Sequence, residues 1–230
     1  MARLLLLETA TSQLSAALSA DGRIVALRSA EEPRMQASLT APFVQEVLAE
    51  AGLRVKDLDA VCVSKGPGSY TGLRVGVSTA KGLAFGAGKP LIAIGTLDIL
   101  VQGAREDGLL PEGCTAVVPM IDARRMEVYS AVFTPEGQQV REIRAEVVTE
   151  ESFADELAAG PVLFVGDGAL KCREVLPSPN ARFAAAFPSA RAMAALAEEA
   201  YAEKRFEDLA YFEPFYLKDF VATVSRKNLF

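Results

Sequence analysis

Apolar residues recur along this chain in two rhythms. Leu4-Leu5-Leu6-Leu7, between Arg3 and Glu8, is an unbroken run of the kind found in a strand covered on both faces. A polar elbow, Thr9-Ala10-Thr11-Ser12, follows. Alternation at about 13–20 and 23–28 then predicts two more strands, and Asp21-Gly22 between them is a hairpin turn. Met35, Leu39, Phe43 and Val47 fall at four-residue steps, which predicts a helix over about 34–51 that Pro42 should kink or split. A strand over 59–64, a helix over 71–87, a strand over 91–94 and a helix over about 96–104 complete a β-β-β-α-β-α-β-α order.

Arg105 to Gly113 is charged and rich in breakers, and reads as a boundary. The pattern then repeats. An apolar strand over 115–121 ends in Asp122 as the first ended in Glu8, and a short elbow, Ala123-Arg124-Arg125, leads into an alternating strand over 126–133. A turn at Glu136-Gly137 feeds a third strand, and a helix at about 150–158 and a strand over 162–165 lead to Gly166-Asp167-Gly168. From Glu8 to Gly22 is fourteen positions, and from Asp122 to Gly137 fifteen. The expected fold is α/β, with duplicated β-β-β-α-β-α lobes at 1–105 and 106–230 facing a cleft. A last helix is expected from Pro188 to about Arg205, with Met193, Leu196, Ala197 and Ala200 on one face. The tail from Tyr211 carries Phe212, Phe215, Tyr216, Phe220 and Phe230, an apolar load expected to pack back on the first lobe or on a partner.

Composition narrows the chemistry. Of 230 residues half are hydrophobic and 23% charged, the balance of a folded globular protein. Lys and Arg number 24 against 30 Asp and Glu, a formal charge of −6 that disfavours independent binding to nucleic acid unless a local basic stripe exists. Arg124, Arg125, Arg141 and Arg144 are the candidates for one. The chain contains no histidine, which removes imidazole relays, Ser-His-Asp and Cys-His pairs, and every metal site that needs an imidazole ligand. Cys62, Cys114 and Cys172 form no CxxC and read as buried thiols of a cytoplasmic protein. Leu4–Leu7 is too short for an export signal, and no run is long and apolar enough for a membrane span.

The most individual stretch is Ser64-Lys65-Gly66-Pro67-Gly68-Ser69-Tyr70-Thr71-Gly72-Leu73-Arg74-Val75-Gly76, a strand end, a glycine-rich turn and a helix start. Freed amides there can hold an anion, or the glycines can serve a tight packing turn. The spacing matches neither GxxxxGK[ST] nor GxGxxG. The helix that follows bears only Arg74 and Lys81 as charges, has apolar residues all round, and contains Gly72, Gly76, Gly82 and Gly86. Such a helix is covered either wholly within the monomer or, with the helix of Met35, Leu39, Phe43 and Val47, by another subunit. The elbows supply the remaining candidates, a strand-end Glu8 with Thr9 and Thr11 in one lobe, and Asp122, Arg124, Gly166 and Gly168 in the other.

The duplicated lobes resemble the actin/Hsp70/sugar-kinase superfamily, whose lobes are of the ribonuclease H-like type. Within it, Gly66 to Gly76 followed by Lys81-Gly82-Leu83-Ala84, then Ile121-Asp122-Ala123-Arg124 with Glu127-Val128-Tyr129, and Glu213-Pro214-Phe215-Tyr216-Leu217, are similar to the motifs of the TsaB (YeaZ) family. That resemblance implies a non-catalytic accessory subunit. Its partner would be TsaD, a related protein that shares the Gly-Pro-Gly block and carries a histidine-ligated metal. With the ATPase TsaE and the threonylcarbamoyl-AMP synthase TsaC, the pair places threonylcarbamoyl on N6 of adenosine 37 in tRNAs reading ANN codons. A chain without histidine cannot be TsaD, nor the zinc glycoprotease that such proteins were once labelled.

The resemblance further implies pairing through the helix after Gly66, Pro67, Gly68 and Gly72 and the helix before it, with Met35, Leu39, Phe43, Val47, Tyr70, Leu73, Val77 and Lys81 at the interface. A homodimer through the same surface is expected in isolation, and tRNA contact only through the complex. No cofactor or metal is required by this reading, and ATP or ADP is expected at the interface of the complex. Glu8 departs from the family, where Asp stands at that position, which weakens the case for nucleotide turnover. The alternative is a nucleotide-dependent phosphotransferase or ATPase working in its own cleft through Glu8, Thr9, Thr11, Gly166 and Gly168.

Overall fold

The four leucines of the opening run divide between two cores. In the computed structural model, which describes residues 2–31 and 35–218, they lie on β1 (Arg3–Glu8), at the centre of a five-stranded sheet. Leu4 and Leu6 face one core and Leu5 and Leu7 the other, and all four are fully buried. Beside β1 run β2 (Gln13–Ala20) and then β3 (Arg23–Glu31), both antiparallel, and on its other side β4 (Ala60–Gly66) and β5 (Leu91–Gly95), both parallel. Asp21 at φ 49° and Gly22 at φ 72° make the hairpin turn whose left-handed residues match the strand twist.

The helices α1 (Gln36–Glu50) and α2 (Tyr70–Ala87) cover one face of this sheet through Val44, Val47, Leu48, Val77, Ala80 and Ala84. The helix is not split at Pro42. The helix runs through it, because the carbonyl that loses its N–H partner is that of Ser38, on the exposed side. Helix α2 begins at Ser69, whose hydroxyl accepts the Gly72 N–H at 3.3 Å, and ends at the left-handed Gly88.

The second sheet repeats the first. Strands β6 (Ala116–Asp122), β7 (Glu127–Phe133), β8 (Gln139–Val147), β9 (Val162–Val165) and β10 (Ala181–Ala184) lie in the order β8-β7-β6-β9-β10, the counterpart of β3-β2-β1-β4-β5. Between the sheets lies α3 (Thr96–Glu106), which gives Ile99 to the first core and Leu97, Leu100, Val101 and Ala104 to the second.

Two helix boundaries differ from expectation, and one strand was not expected. The helix expected at 150–158 is reduced to α4 (Ala154–Ala159), because Phe153 adopts φ 60° and turns its ring edge-on to Phe164 in the core, 5.4 Å away. The last helix, expected from Pro188, is α5 (Met193–Ala202). Its lead-in is held otherwise, with the Ala190 N–H donating to Ser15 Oγ at 2.8 Å and Ala190 and Ala192 buried. Strand β10 has no apolar alternation strong enough to be read from sequence. Helix α5 packs on the first sheet through Met193, Ala194, Ala197 and Ala200. The chain after it stays on the first lobe, Glu207 bridging to Leu91 and Phe212 packing beside α2, while Phe220 and Phe230 lie outside the described residues.

Candidate functional site

The parallel pairing of β1 with β4 sets Glu8 beside Ser64, one step past the Leu7–Val63 pair. Glu8 Oε1 accepts the Ala10 N–H at 2.6 Å and the Ser64 hydroxyl at 2.9 Å, while Oε2 has no partner. The carboxyl is fully buried, and burial pushes its pKa up to about 7 against the lowering by the Ala10, Ser64 and Thr9 hydrogen bonds. Sequence reasoning passed over Ser64, although its place at the end of the neighbouring parallel strand was the signal that could have found it.

The elbow after Glu8 is gripped from both sides. Gly68, Gly72 and Gly76 succeed one another every four residues against Thr9 and Ala10. A Cβ at Gly68 would overlap the Ala10 carbonyl, one at Gly72 the Thr9 carbonyl, and one at Gly76 the Thr9 hydroxyl. The close approach is sealed by hydrogen bonds, Ser69 N–H to Ala10 O at 2.7 Å and Thr9 Oγ1 to Gly72 O at 2.8 Å. From α1, the buried Gln36 amide donates to Thr11 O at 2.8 Å. The glycine-rich turn thus serves as a packing joint, with the Ser69 and Gly72 amides both engaged within the chain. Gly66, buried at φ 113°, faces the tail, where the Phe215 N–H donates to Lys65 O at 2.7 Å and the Phe215 carbonyl leaves no room for a Cβ. Pro67 is buried beside it.

The second lobe has the same joint in smaller form. Asp122 Oδ1 accepts the Arg124 N–H at 2.7 Å, as Glu8 accepts that of Ala10, two residues on in both cases. Gly166, at φ 136°, lies against the Met120 backbone, and Gly168 donates to Met120 O at 3.0 Å. Here the turn leads only to a 3-10 turn at Leu170–Cys172, and the elbow stays exposed. Lys171, which sequence reasoning did not single out, pairs with Asp122 at 2.5 Å.

In an actin-like fold the two elbows would face the phosphates of a nucleotide. The residues here do not fit one. Glu8, Thr9 and Thr11 are buried and bonded inside the chain, and Gly166 and Gly168 lie against the backbone of β6. Among the described residues no group of three or more His, Cys, Asp or Glu side chains is placed to hold a metal.

The expected interface residues divide. Met35, Leu39, Phe43 and Tyr70 are half-buried. Lys81 is half-buried too, its ammonium donating to Phe212 O at 2.8 Å. Val47, Leu73 and Val77 are buried in the protein's own first-lobe core, so their placement on the contact surface is corrected: the α1 repeat of four drifts inward by Val47, and Leu73 and Val77 are the face of α2 that meets the sheet. The outward face of α2 is instead Thr71, Arg74, Ser78, Gly82, Phe85 and Gly86. Phe85 is 80% exposed, and a Cβ at Gly82 or Gly86 would meet no other described residue.

Two tandem ribonuclease H-like lobes, related by a repeated strand order and closed over the first elbow by the chain's own helix, define a protein of the actin-like ATPase fold without an open first-lobe phosphate cradle. The family described as "TsaD: tRNA N6-adenosine threonylcarbamoyltransferase" matches residues 34–226. The tRNA threonylcarbamoyladenosine biosynthesis protein TsaB of Escherichia coli is 32% identical, the match covering 96% of each chain. That of Haemophilus influenzae is 34% identical over 94% of this chain and 93% of its own. A crystal structure of a Pseudomonas aeruginosa protein "with similarity to peptidase YEAZ" superposes with a TM-score of 0.83 at 30% identity, covering 95% of this chain and 100% of that one. The chain belongs to the TsaB (YeaZ) family.

Two glycines of one helix should respond oppositely to alanine. Gly72→Ala is expected to destabilise by about 1–3 kcal/mol through overlap with Thr9, and Gly82→Ala to stabilise by up to about 1 kcal/mol through helix propensity, in denaturant unfolding. Equal signs would refute the joint. Glu8 supplies a second test. Its proton is held to about pH 7 in the folded chain and lost near 4.5 in the unfolded one. The folded state therefore binds more protons in that window, so stability falls as pH rises through it, by about 3 kcal/mol in all. Glu8→Gln should flatten this decline between pH 5 and 8, and parallel curves for the two proteins would contradict the assignment.

Proposed function

We propose that this protein is a non-catalytic accessory subunit that pairs with a TsaD-type partner, together with TsaE, in the N6-threonylcarbamoylation of adenosine 37 of tRNAs reading ANN codons, in the cytoplasm. Family membership over nearly the whole chain supports the pathway, and the absence of histidine supports the accessory role. The observation that carries the pairing is the outward face of α2. Gly72 and Gly76 are accounted for by Thr9, but among the described residues nothing lies where a Cβ at Gly82 or Gly86 would reach. Each lowers helix stability by about 1 kcal/mol relative to Ala, a loss that a closely approaching helix of a partner can offset. Beside them the exposed Phe85 supplies an apolar anchor. Leu39 and Phe43, half-buried on α1, continue the surface. In isolation the same face serves a homodimer.

Co-purification with the TsaD-type partner should succeed for the wild type and weaken roughly tenfold or more for Gly82→Arg and Phe85→Glu, with folding unchanged. In cells lacking the chain, modified adenosine 37 should return with the wild type and not with Gly82→Arg. Normal pairing by both variants would remove this face, and a wild type that neither pairs nor restores the modification would remove the function. Calorimetry of the isolated chain with Mg-ATP should give no saturable heat. Tight binding abolished by Glu8→Ala would favour the phosphotransferase reading instead.

A further inference from the structure

The elbow of the second lobe is the tip of the hairpin between β6 and β7, closed by Ala123 N–H to Glu127 O and Glu127 N–H to Arg124 O, both at 3.1 Å. At its tip stand Arg124 and Arg125, at φ 75° and 51°. Two successive side-chain-bearing residues in the left-handed region are unfavourable, and glycine, asparagine or aspartate is the usual occupant of such turns. Both arginines are exposed.

Among the described residues, the two carboxylates that flank the hairpin tip are engaged elsewhere. Asp122 is paired with Lys171 at 2.5 Å, and Glu127 with Lys218 of the tail. Lys171 also donates to Glu127 O at 2.7 Å, so both lysines are drawn to the base of the hairpin. Among the described residues neither guanidinium has an ion pair, hydrogen bond or ring contact. The other two arginines of the expected basic stripe differ. Arg141 is held by Glu146 at 2.9 Å and lies over the Phe153 ring, and Arg144 stands on β8 between Glu142 and Glu146. The stripe therefore reduces to one hairpin tip carrying two charges without a partner among the described residues, on a chain whose net charge is −6.

We infer that this tip is the chain's contact to the phosphate backbone of the tRNA substrate within the assembly. The inference rests on the proposed function, which supplies RNA as the polyanion. The planar guanidinium fork matches phosphate oxygens two at a time, and adjacent arginines on a narrow turn can follow a backbone without reading its bases. Two such contacts on an acidic chain give weak binding alone and a measurable increment in a complex where the partner holds the rest of the RNA.

The test is a titration of unmodified tRNA into the reconstituted complex, between about 50 and 300 mM salt. Arg124→Gly/Arg125→Gly relieves the left-handed strain, so it should keep or raise the melting temperature while weakening tRNA binding about tenfold or more at low salt. The slope of log affinity against log salt should become shallower by about two. Arg124→Lys/Arg125→Lys should restore most of that slope, and Arg144→Ala should leave affinity and slope at their wild-type values. Wild-type affinity and slope in the double glycine variant would overturn the inference while leaving the proposed function intact. Loss of partner pairing in that variant, with tRNA binding by the surviving complex unchanged, would make the tip a protein contact and equally overturn it. A wild-type chain that forms no complex at all would instead overturn the reading on which the inference rests.

Discussion

The first lobe depends on how closely α2 approaches the end of β1. Three glycines one turn apart let the helix backbone rest on Thr9 and Ala10, a distance that any Cβ would prevent. Much else in the lobe is set by this contact. It removes the elbow from solvent and buries the Glu8 carboxyl, whose remaining unpartnered oxygen is the price of closure. It engages the Ser69 and Gly72 amides that follow the Gly-Pro-Gly turn, one on the Ala10 carbonyl and one on the Ser69 hydroxyl. It also fixes the rotation of α2, and thereby decides which residues face outward.

The two lobes show what the same design does with and without that helix. Both have a strand-end carboxylate that accepts the N–H two residues on, and both have a Gly-x-Gly turn, which meets the elbow at Ala10 through Gly68 in the first lobe and the end of β6 in the second. In the second lobe a 3-10 turn replaces the long helix, and among the described residues Asp122, Arg124 and Arg125 stay exposed. Duplication supplied two equivalent elbows. A long helix after one glycine turn and a short 3-10 turn after the other made the first a buried joint and the second an exposed, positively charged hairpin. The tail links them. Phe215 pairs with Lys65 at the first turn, Tyr216 lies 4.8 Å from Tyr70, and Lys218 reaches Glu127.

Much of this was legible in the residues. The leucine run, the Asp-Gly hairpin and the repeated carboxylate-elbow-strand order declared a duplicated fold, because buried central strands and left-handed turns leave strong local patterns. Legibility failed where tertiary contact overrode local preference, as when Phe153 shortened α4 or Ser15 held the lead-in to α5. It failed also on the rotation of helices. The four-residue step from Met35 to Val47 names one stripe, but a helix repeats every 3.6 residues, so that stripe drifts from the flank of α1 into the core. On α2, apolar residues lie all round, and no periodicity in the sequence says which of Leu73, Val77 and Phe85 faces out.

The glycines resolve that ambiguity where the apolar residues cannot. A helical glycine is unfavourable wherever it occurs, and burial can explain it only if another atom occupies the space its side chain would take. Gly72 and Gly76 meet that condition and Gly82 and Gly86 do not, although all four read alike in sequence. The distinction assigns the first pair to the fold and leaves the second pair without a reason among the described residues. The residues most informative about a partner are thus small ones whose destabilising effect no contact among the described residues offsets, with the exposed ring of Phe85 beside them. The same logic applies to Arg124 and Arg125, which hold a backbone conformation that glycine would adopt more easily. In both places the departure from the locally most favourable residue marks where the molecule is built to meet another.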